Sequence, residues 1–474
     1  MSQCKSTTII NEIGHFFKKS EDNAMERILG LLKAVKMTDS GLGLKTKCNA
    51  RRKASEKLQL LTLFPFFGSK NPYDYRHTSL AQVAVAGKDQ FYRLLNDATV
   101  NWRNVGYKVF NALKRTTLNR GEQTESTCLI ADDTDLNKTG FHIEFIGKVF
   151  SHVTHTHNLG FKMLALNYDD GKQMLNVDFS IHGEKGKKGN YGLTDRQLKK
   201  RKKVRHSQGN PDAERVMEYE ESKIKVLMDM VVRFVRRGHK ADYLLADSWF
   251  TNAQLVRFVE GLRNVGHYLG MARFSDTKYV VNGKEKSVKQ IARSKTKRQR
   301  CRKLKCQYLE VDADFQGIPV KLFVNRMGKN QNWRVILTTD LTLNFEQAYR
   351  IYARRWNIEV FFKECKQHLG LGACQSHSFN AQIAATTVAM IQYNLLATAR
   401  RFDGYETFGE LFRAAGNEAL ELTVSQRIWL VICDVIKEIA EILEIDAETL
   451  LEKYIAEPER ITKIVNLKTL QNAG

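Results

Sequence analysis

Hydrophobic positions in roughly the first 125 residues recur at helical spacing, as in AMERILGLLKAV and WRNVGYKVFNALKR, with no strand-like alternation. Within this stretch SLAQVAVAGKDQFYRLLND carries two short helical patterns broken near Gly87. It predicts either a helix-turn-helix, with Lys88 to Leu95 as second helix, or a plain helical hairpin. From Ser126 the pattern changes to strands: TCLIADDTDL, KVFSHVTHTH, FKMLALNYDD and MLNVDFSIHG, the last two separated by a DDGK turn. A glycine-rich and then almost wholly basic linker follows, GEKGKKGNYGLTDRQLKKRKKVRH. Next come a helix from about Asp212 to Arg237, the strand DYLLADSWF, and a helix starting near Thr251 with a T-x-x-Q cap. This alternation is α/β in style. Residues 276–343 begin with the basic run KEKSVKQIARSKTKRQRCRKLKCQ and continue with strand-like YLEVDADF, IPVKLFVNR and WRVILTTD, so they read as a basic β-rich insertion. A helix from about Phe345 to about Leu369 follows, capped by Asn344 with Gln347 and stopped by Gly370 and Gly372. The apolar helix IAATTVAMIQYNLLATARRF and an amphipathic tail containing SQRIWLVICDVIKEIAEILEI complete the chain.

One of these helices has an unusual edge. In YARRWNIEVFFKECK, Tyr352, Arg355, Glu359 and Lys366 fall within an arc of roughly 60° on a helical wheel. Ile351, Ile358, Phe361, Phe362, Cys365 and Leu369 form an adjoining apolar stripe, as expected of a helix packed on a core. The polar edge is either a solvated face with ordinary i,i+4 ion pairs, such as Arg355 with Glu359, or a working surface.

Charge narrows the choice of partner. The chain has 474 residues, a formal charge of +23 and a pI near 9.6, which points to a polyanion such as nucleic acid. Residues 401–474 hold 14 acidic and 8 basic residues, so the first 400 carry about +29 and the acidic tail is an unsuitable surface for DNA. The eight cysteines are scattered, with no C-x-x-C pair, as expected of reduced thiols in a cytoplasm. Two C-x-x-H pairs, Cys365 with His368 and Cys374 with His377, invite a zinc assignment, but the first lies on the helix just described. The N-terminus shows no signal peptide, and no apolar run approaches the ~20 residues of a membrane span, so a soluble intracellular protein is expected.

Two acids follow short apolar strands: Asp132 in LIADDTDL and Asp247 in YLLADSWF. Strand-end carboxylates can hold Mg²⁺, and two such ions about 4 Å apart can activate a nucleophile and stabilise a leaving oxygen. Glu359 would supply a third carboxylate from the helix. Such aspartates are also common turn formers and caps. Asp133 and Asp135 compete with Asp132, and alternation alone does not choose among them.

The spacing of Tyr352, Arg355, Glu359 and Lys366 resembles the Y-(2)-R-(3)-E-(6)-K signature of the insertion-sequence 4 family of bacterial DDE transposases. IADDTDL resembles that family's first-aspartate motif, D-x-T, which selects Asp132 with Thr134, and LLADSWF resembles the second, giving Asp247. The resemblance covers about residues 75–402. It implies an α/β, ribonuclease-H-like catalytic core interrupted by a β-rich insertion, with helical N-terminal DNA-binding and C-terminal regions. The expected divisions are 1–125 for the DNA-binding helices, 126–275 and 344–402 for the two parts of the core, 276–343 for the insertion and 403–474 for the acidic helical region. The implied catalytic and metal-binding set is Asp132, Asp247 and Glu359 with two Mg²⁺ ions, Mn²⁺ being an alternative. The implied DNA contacts are Tyr352, Arg355 and Lys366, joined by Lys88 and Arg93 on the second N-terminal helix. Trp333 lies near the position where related enzymes place an aromatic against a flipped base, though a core strand tryptophan reads equally well. The implied activity is cut-and-paste transposition through a hairpin intermediate on terminal inverted repeats and target DNA, by a homodimer in the cytoplasm at the nucleoid. The alternatives are a non-catalytic DNA-binding regulator derived from a transposase and a ribonuclease-H-like nuclease without strand transfer.

Overall fold

Cys128 to Ala131 are all buried, and Asp132 to Asp135 after them are half-buried, because the strand CLIADDTDLN is covered on both faces at its start and opens at its end. This computed structural model describes residues 23–442, apart from 70, 85, 119–124, 152–153, 185–192, 202–205, 207–208, 295–297, 329–331 and 403–404. Part of the basic linker expected at 183–206 and all of the tail beyond residue 442 lie outside the described residues.

The chain divides into two compact units. Within Met1–Asp39, Thr46–Leu94 and Phe402–Gly474, the first unit gathers helices α1 (Ala24–Ala34), α2 (Ala54–Leu63), α3 (Ser79–Val83) and α4 (Lys88–Leu95). The long helix Phe408–Ile442, far away in sequence, packs against α1, α3 and the 3₁₀ turn Phe64–Phe67 of the same unit. Its Glu418 carboxylate accepts the Ala24 and Met25 amides, satisfying first-turn donors of α1.

The second unit, Ser40–Lys45 with Leu95–Arg401, holds helix α5 (Trp102–Leu118) and a twelve-stranded mixed sheet. Strands β1 (Cys128–Asn137), β2 (Gly147–Ser151), β3 (Thr156–Asp169) and β4 (Met174–His182) pair antiparallel, while β5 (Ala241–Ala246) and β6 (Val265–Ala272) run parallel to β1. Helices α6 (Pro211–Glu220), α7 (Lys223–Arg236) and α8 (Ala253–Glu260) connect and cover them. Residues 276–343 extend the same sheet: β12 (Arg334–Thr338) pairs with β6, β11 (Pro319–Met327) with β12, and β10 (Cys306–Asp314) with β11. Short strands β7 (Lys278–Val281), β8 (Lys284–Ser287) and β9 (Gln299–Cys301) complete it. Helices α9 (Phe345–Ala353), α10 (Trp356–His368) and α11 (Phe379–Phe402) end the unit. Among the described residues no helix is long and apolar enough to cross a membrane.

Three helices are locked to β4 by buried charge. Arg103 of α5 donates from Nε to Asp178 at 3.2 Å and from Nη2 to Glu218 of α6 at 2.6 Å, and Arg233 of α7 donates to Asp178 at 2.9 Å. Burial alone would push the Asp178 carboxyl up; the guanidiniums of Arg103, Arg233 and Arg215 overcome it and hold the group well below the usual carboxylate range. This network explains why α5, which the sequence groups with the N-terminal helices, clusters with the sheet.

Three helix boundaries differ from the periodicity. The helix expected over Asp212 to Arg237 breaks at Glu221 and Ser222, where Ser222 turns extended and its hydroxyl caps α7 by accepting the Lys225 amide. Asn252, rather than Thr251, caps α8, because the Thr251 hydroxyl is engaged with the carbonyls of Asp247 and Met271. The single helix expected from Phe345 to Leu369 is two, since the Arg354, Arg355, Asn357 and Ile358 amides bond three residues back instead of four.

Candidate active site

The parallel ladder between β1 and β5 ends on the rung Ala131↔Ala246. Asp132, within β1, and Asp247, immediately after β5, are therefore the next residues past the parallel part of the sheet, on chains whose paired strands lie about 4.8 Å apart. The Asp247 carboxylate is oriented by the amides of Trp249 (2.8 Å) and Phe250 (3.3 Å), both donating to Oδ1. The Asp133 amide donates to Asp132 Oδ1 at 2.8 Å.

Partners sort the acids of IADDTDL. Asp133 is ion-paired with Lys223 of α7, and Asp135 with Lys162 of β3 at 2.7 Å. Asp132 and Thr134, one strand face away, meet α10 instead: Lys366 Nζ donates to Thr134 Oγ1 at 2.7 Å, and Arg355 Nη1 donates to Asp132 Oδ2 at 2.9 Å. The other arm of Arg355 reaches Glu359 Oε1 at 2.6 Å, so one guanidinium bridges Asp132 and Glu359. Tyr352 is seated beside them, its ring 6.0 Å from the Arg355 guanidinium carbon.

This bridging depends on the break between α9 and α10. Arg354 points the other way: its Nε donates to Asp169 Oδ1 at 3.0 Å, its Nη2 to the Asp169 carbonyl at 2.9 Å, and its Nη1 to the Ser126 carbonyl. Asn357 adds a 2.8 Å bond to Asp169 Oδ2. The consecutive arginines are thus pulled toward different partners, and the backbone tightens between them.

Electrostatics mark the site. Burial, then the neighbouring Asp247 charge, pushes the Asp132 carboxyl up to about 7, against the opposing pull of Arg355 and the Asp133 amide. Burial also pushes the Tyr352 hydroxyl up to about 12, with Asp247 and Asp132 contributing, so it is a neutral hydrogen-bond donor at neutral pH. Lys366 is lowered by burial and by Lys162, with Asp135 opposing.

Among the described residues no three His, Cys, Asp or Glu side chains are already gathered as a metal cluster. The Arg355 guanidinium occupies the space between Asp132 and Glu359 and supplies the positive charge there. The donor chemistry still fits a hard divalent cation: the acids are all oxygen donors, and the Asp132 carboxyl, raised first by burial and then by the Asp247 charge, is a site where a cation would favour the ionised form.

The remaining sequence candidates lie elsewhere. Trp333 is half-buried just before β12, with the guanidinium carbons of Arg298 and Arg326 at 5.2 and 4.8 Å from its ring, and the strands β5 and β6 separate β12 from β1 in the sheet. Lys88 and Arg93 are exposed on α4 in the other unit, Lys88 with its ammonium 5.0 Å from the Tyr73 ring. Sequence reasoning passed over Trp249, which is 42 % exposed beside Asp247 and carries the Lys223 ammonium 4.7 Å from its ring. The available signal was the paired aromatic in DSWF, too large to leave at a turn without a use. Arg354 was also missed, although two successive arginines on an amphipathic helix point in different directions.

Residues 219–395, which contain Asp247 and Glu359 but not Asp132, match the family model described as the transposase DDE domain. No curated protein matches the chain. Among solved structures, the chain is similar to the piggyBac transposase in a synaptic complex with hairpin DNA, at 13 % identity and a TM-score of 0.43, over 89 % of this chain and 80 % of that one. The family match, over rather more than a third of the chain, supports a DNA transposase of a DDE family.

Proposed function

We propose that this protein is a cut-and-paste DNA transposase of an insertion sequence of the insertion-sequence 4 type, with a ribonuclease-H-like core. The observation that carries the reading is the end of the β1–β5 ladder: Asp132 and Asp247 each directly follow the last parallel pair, Ala131↔Ala246, and Arg355 ties Glu359 of α10 to Asp132. Asp132, Asp247 and Glu359 would hold divalent cations, Mg²⁺ in the first instance. Such ions, when bound, polarise a phosphodiester and lower the pKa of bound water.

The chain's own groups do the rest. Arg355, exchanging its carboxylates for a substrate, presents a planar fork suited to two phosphate oxygens. Tyr352 offers an un-ionised hydroxyl to the same phosphate, and Lys366 brings an ammonium held over Thr134. Water attacks at the element end and leaves a 3′-hydroxyl, which attacks the opposite strand to form a hairpin; after reopening, the 3′ ends join target DNA. Every step is an in-line displacement at phosphorus, so one constellation serves them all. Helix α4, with Lys88 and Arg93, is the proposed contact with the terminal repeats, and a homodimer brings two ends together at the nucleoid.

A labelled terminal repeat incubated with Mg²⁺ and a target plasmid separates binding, cutting and joining. Alanine at Asp132, Asp247 or Glu359 should abolish cutting and leave end binding largely intact. Cutting that persists in Glu359→Ala refutes the assignment.

A further inference from the structure

The stretch CRKLKC forms the tip of a hairpin whose two cysteines face each other. β9 and β10 run antiparallel, and Cys301 is the direct cross-strand partner of Cys306. Arg302–Lys305 make the turn, closed by the Lys305 amide on the Arg302 carbonyl at 3.2 Å, with Lys305 in the left-handed region at φ 48°. Directly opposed antiparallel residues have Cα atoms about 4.5 to 5.5 Å apart. A disulfide spans about 4.4 to 6.8 Å between the same atoms. The backbone already has the required separation, and as a direct cross-strand pair the two side chains leave the sheet on the same face, side by side.

The two sulfurs differ in access. Cys306 is 2 % exposed and is paired on its other side with Met327 of β11, whereas Cys301 is half-buried at the strand end. Lys303 lies within electrostatic reach of Cys301, and that same lysine is ion-paired with Glu346 of α9 at 2.7 Å. The hairpin thus has a reachable thiol next to positive charge and a shielded thiol behind it, the arrangement of an attacking and a resolving cysteine.

We propose that Cys301 and Cys306 are a thiol–disulfide modification site that reversibly staples the basic turn Arg302–Lys305. With a low-molecular-weight disulfide as oxidant, the Cys301 thiolate attacks one sulfur, forming a mixed disulfide and releasing one small thiolate. The Cys306 thiolate then attacks the Cys301 sulfur, forming the intramolecular bond and releasing the second small thiol. Two protein thiols are oxidised, one small disulfide is reduced to two thiols, and the two protons pass to the solvent and the leaving thiolates. The staple fixes how Arg302, Lys303 and Lys305, all exposed, are presented to a polyanion. This site does not depend on the transposase reading.

The test uses the folded full-length chain incubated with oxidised glutathione, quenched with iodoacetamide and digested with trypsin without reductant. Cleavage after Arg300, Arg302, Lys303 and Lys305 separates the two cysteines, so a disulfide joins the dipeptide Cys301–Arg302 to the peptide Cys306–Lys321. The expected result is that this linked pair becomes the dominant form and disappears with dithiothreitol, while Cys306→Ser leaves glutathione on Cys301. If both cysteines of the wild-type chain are instead alkylated, or Cys301 keeps its glutathione although Cys306 is present, the proposal is wrong.

Discussion

Replacing Asp132 by asparagine removes a charge that the fold holds at a cost. Its carboxyl stands at about 7 in the folded chain against an ordinary value of 3.8. At roughly 1.36 kcal/mol per pKa unit, the ionised form is disfavoured by about 4 kcal/mol relative to the unfolded chain. The sign follows from the direction of the shift. An acid raised on folding contributes no penalty below about pH 4, loses stability as pH rises through about 7, and carries the full penalty above that. An asparagine amide mimics the neutral carboxyl and keeps the size of the side chain, so in cation-free buffer Asp132→Asn should be the more stable protein at pH 8, by up to about 4 kcal/mol, and equal to wild type at pH 4. Urea unfolding at both pH values, read by fluorescence in the presence of EDTA, measures the difference. A variant no more stable than wild type at pH 8 would show that Arg355 and the Asp133 amide already compensate the Asp132 charge, and the account of a strained carboxylate would fail.

Other expectations come from the same contacts. Asp178→Ala leaves Arg103 and Arg233 with Glu218 but without the buried acid between them and should lower stability by roughly 3–5 kcal/mol in equilibrium unfolding; a loss below about 1 kcal/mol would mean the network is solvated. Ser222→Ala removes the α7 cap and should cost about 1 kcal/mol in the same experiment, with little change in activity. Lys366→Met retains the alkyl stem, so the fold should persist by circular dichroism while affinity for a terminal-repeat duplex drops and its salt dependence becomes shallower by about one unit of log–log slope. Arg354→Ala should destabilise the unit by about 3 kcal/mol, because Asp169 loses its main partner, and should impair cutting through Arg355 although Arg354 touches neither acid.

The acids following short apolar runs, the shared polar edge of Tyr352, Arg355, Glu359 and Lys366, and the basic chain were legible because each is a local property: period, flanking composition and charge. Alternation could not separate Asp132 from Asp133 and Asp135, because the contacts that distinguish them come from Lys223, Lys162 and Arg355, which arrive from three different elements. The break between α9 and α10 was equally hidden. Its cause is Asp169, 185 residues upstream of Arg354, and a helical wheel assumes the regular turn that this contact interrupts. Thr251 misled for a related reason: a hydroxyl in a capping position was recruited by the sheet, and its neighbour took over the cap. The place of α5 beside β4 rests on paired charges in the interior, where hydrophobic periodicity carries no information about which acid meets which arginine.

The placement of Asp132 and Asp247 directly after the last pair of the β1–β5 ladder has a consequence for how such a chain can change over time. Between these acids the turns and the basic linker can change length without moving either carboxylate, whereas β3 is paired residue by residue with β1. A single residue gained or lost between Cys128 and Asp132, or between Tyr243 and Asp247, would turn one carboxylate to the opposite side of the sheet. Drift in length is therefore most tightly constrained in the two short windows leading to these acids, so the site is preserved by the count of residues in those windows as much as by their chemistry.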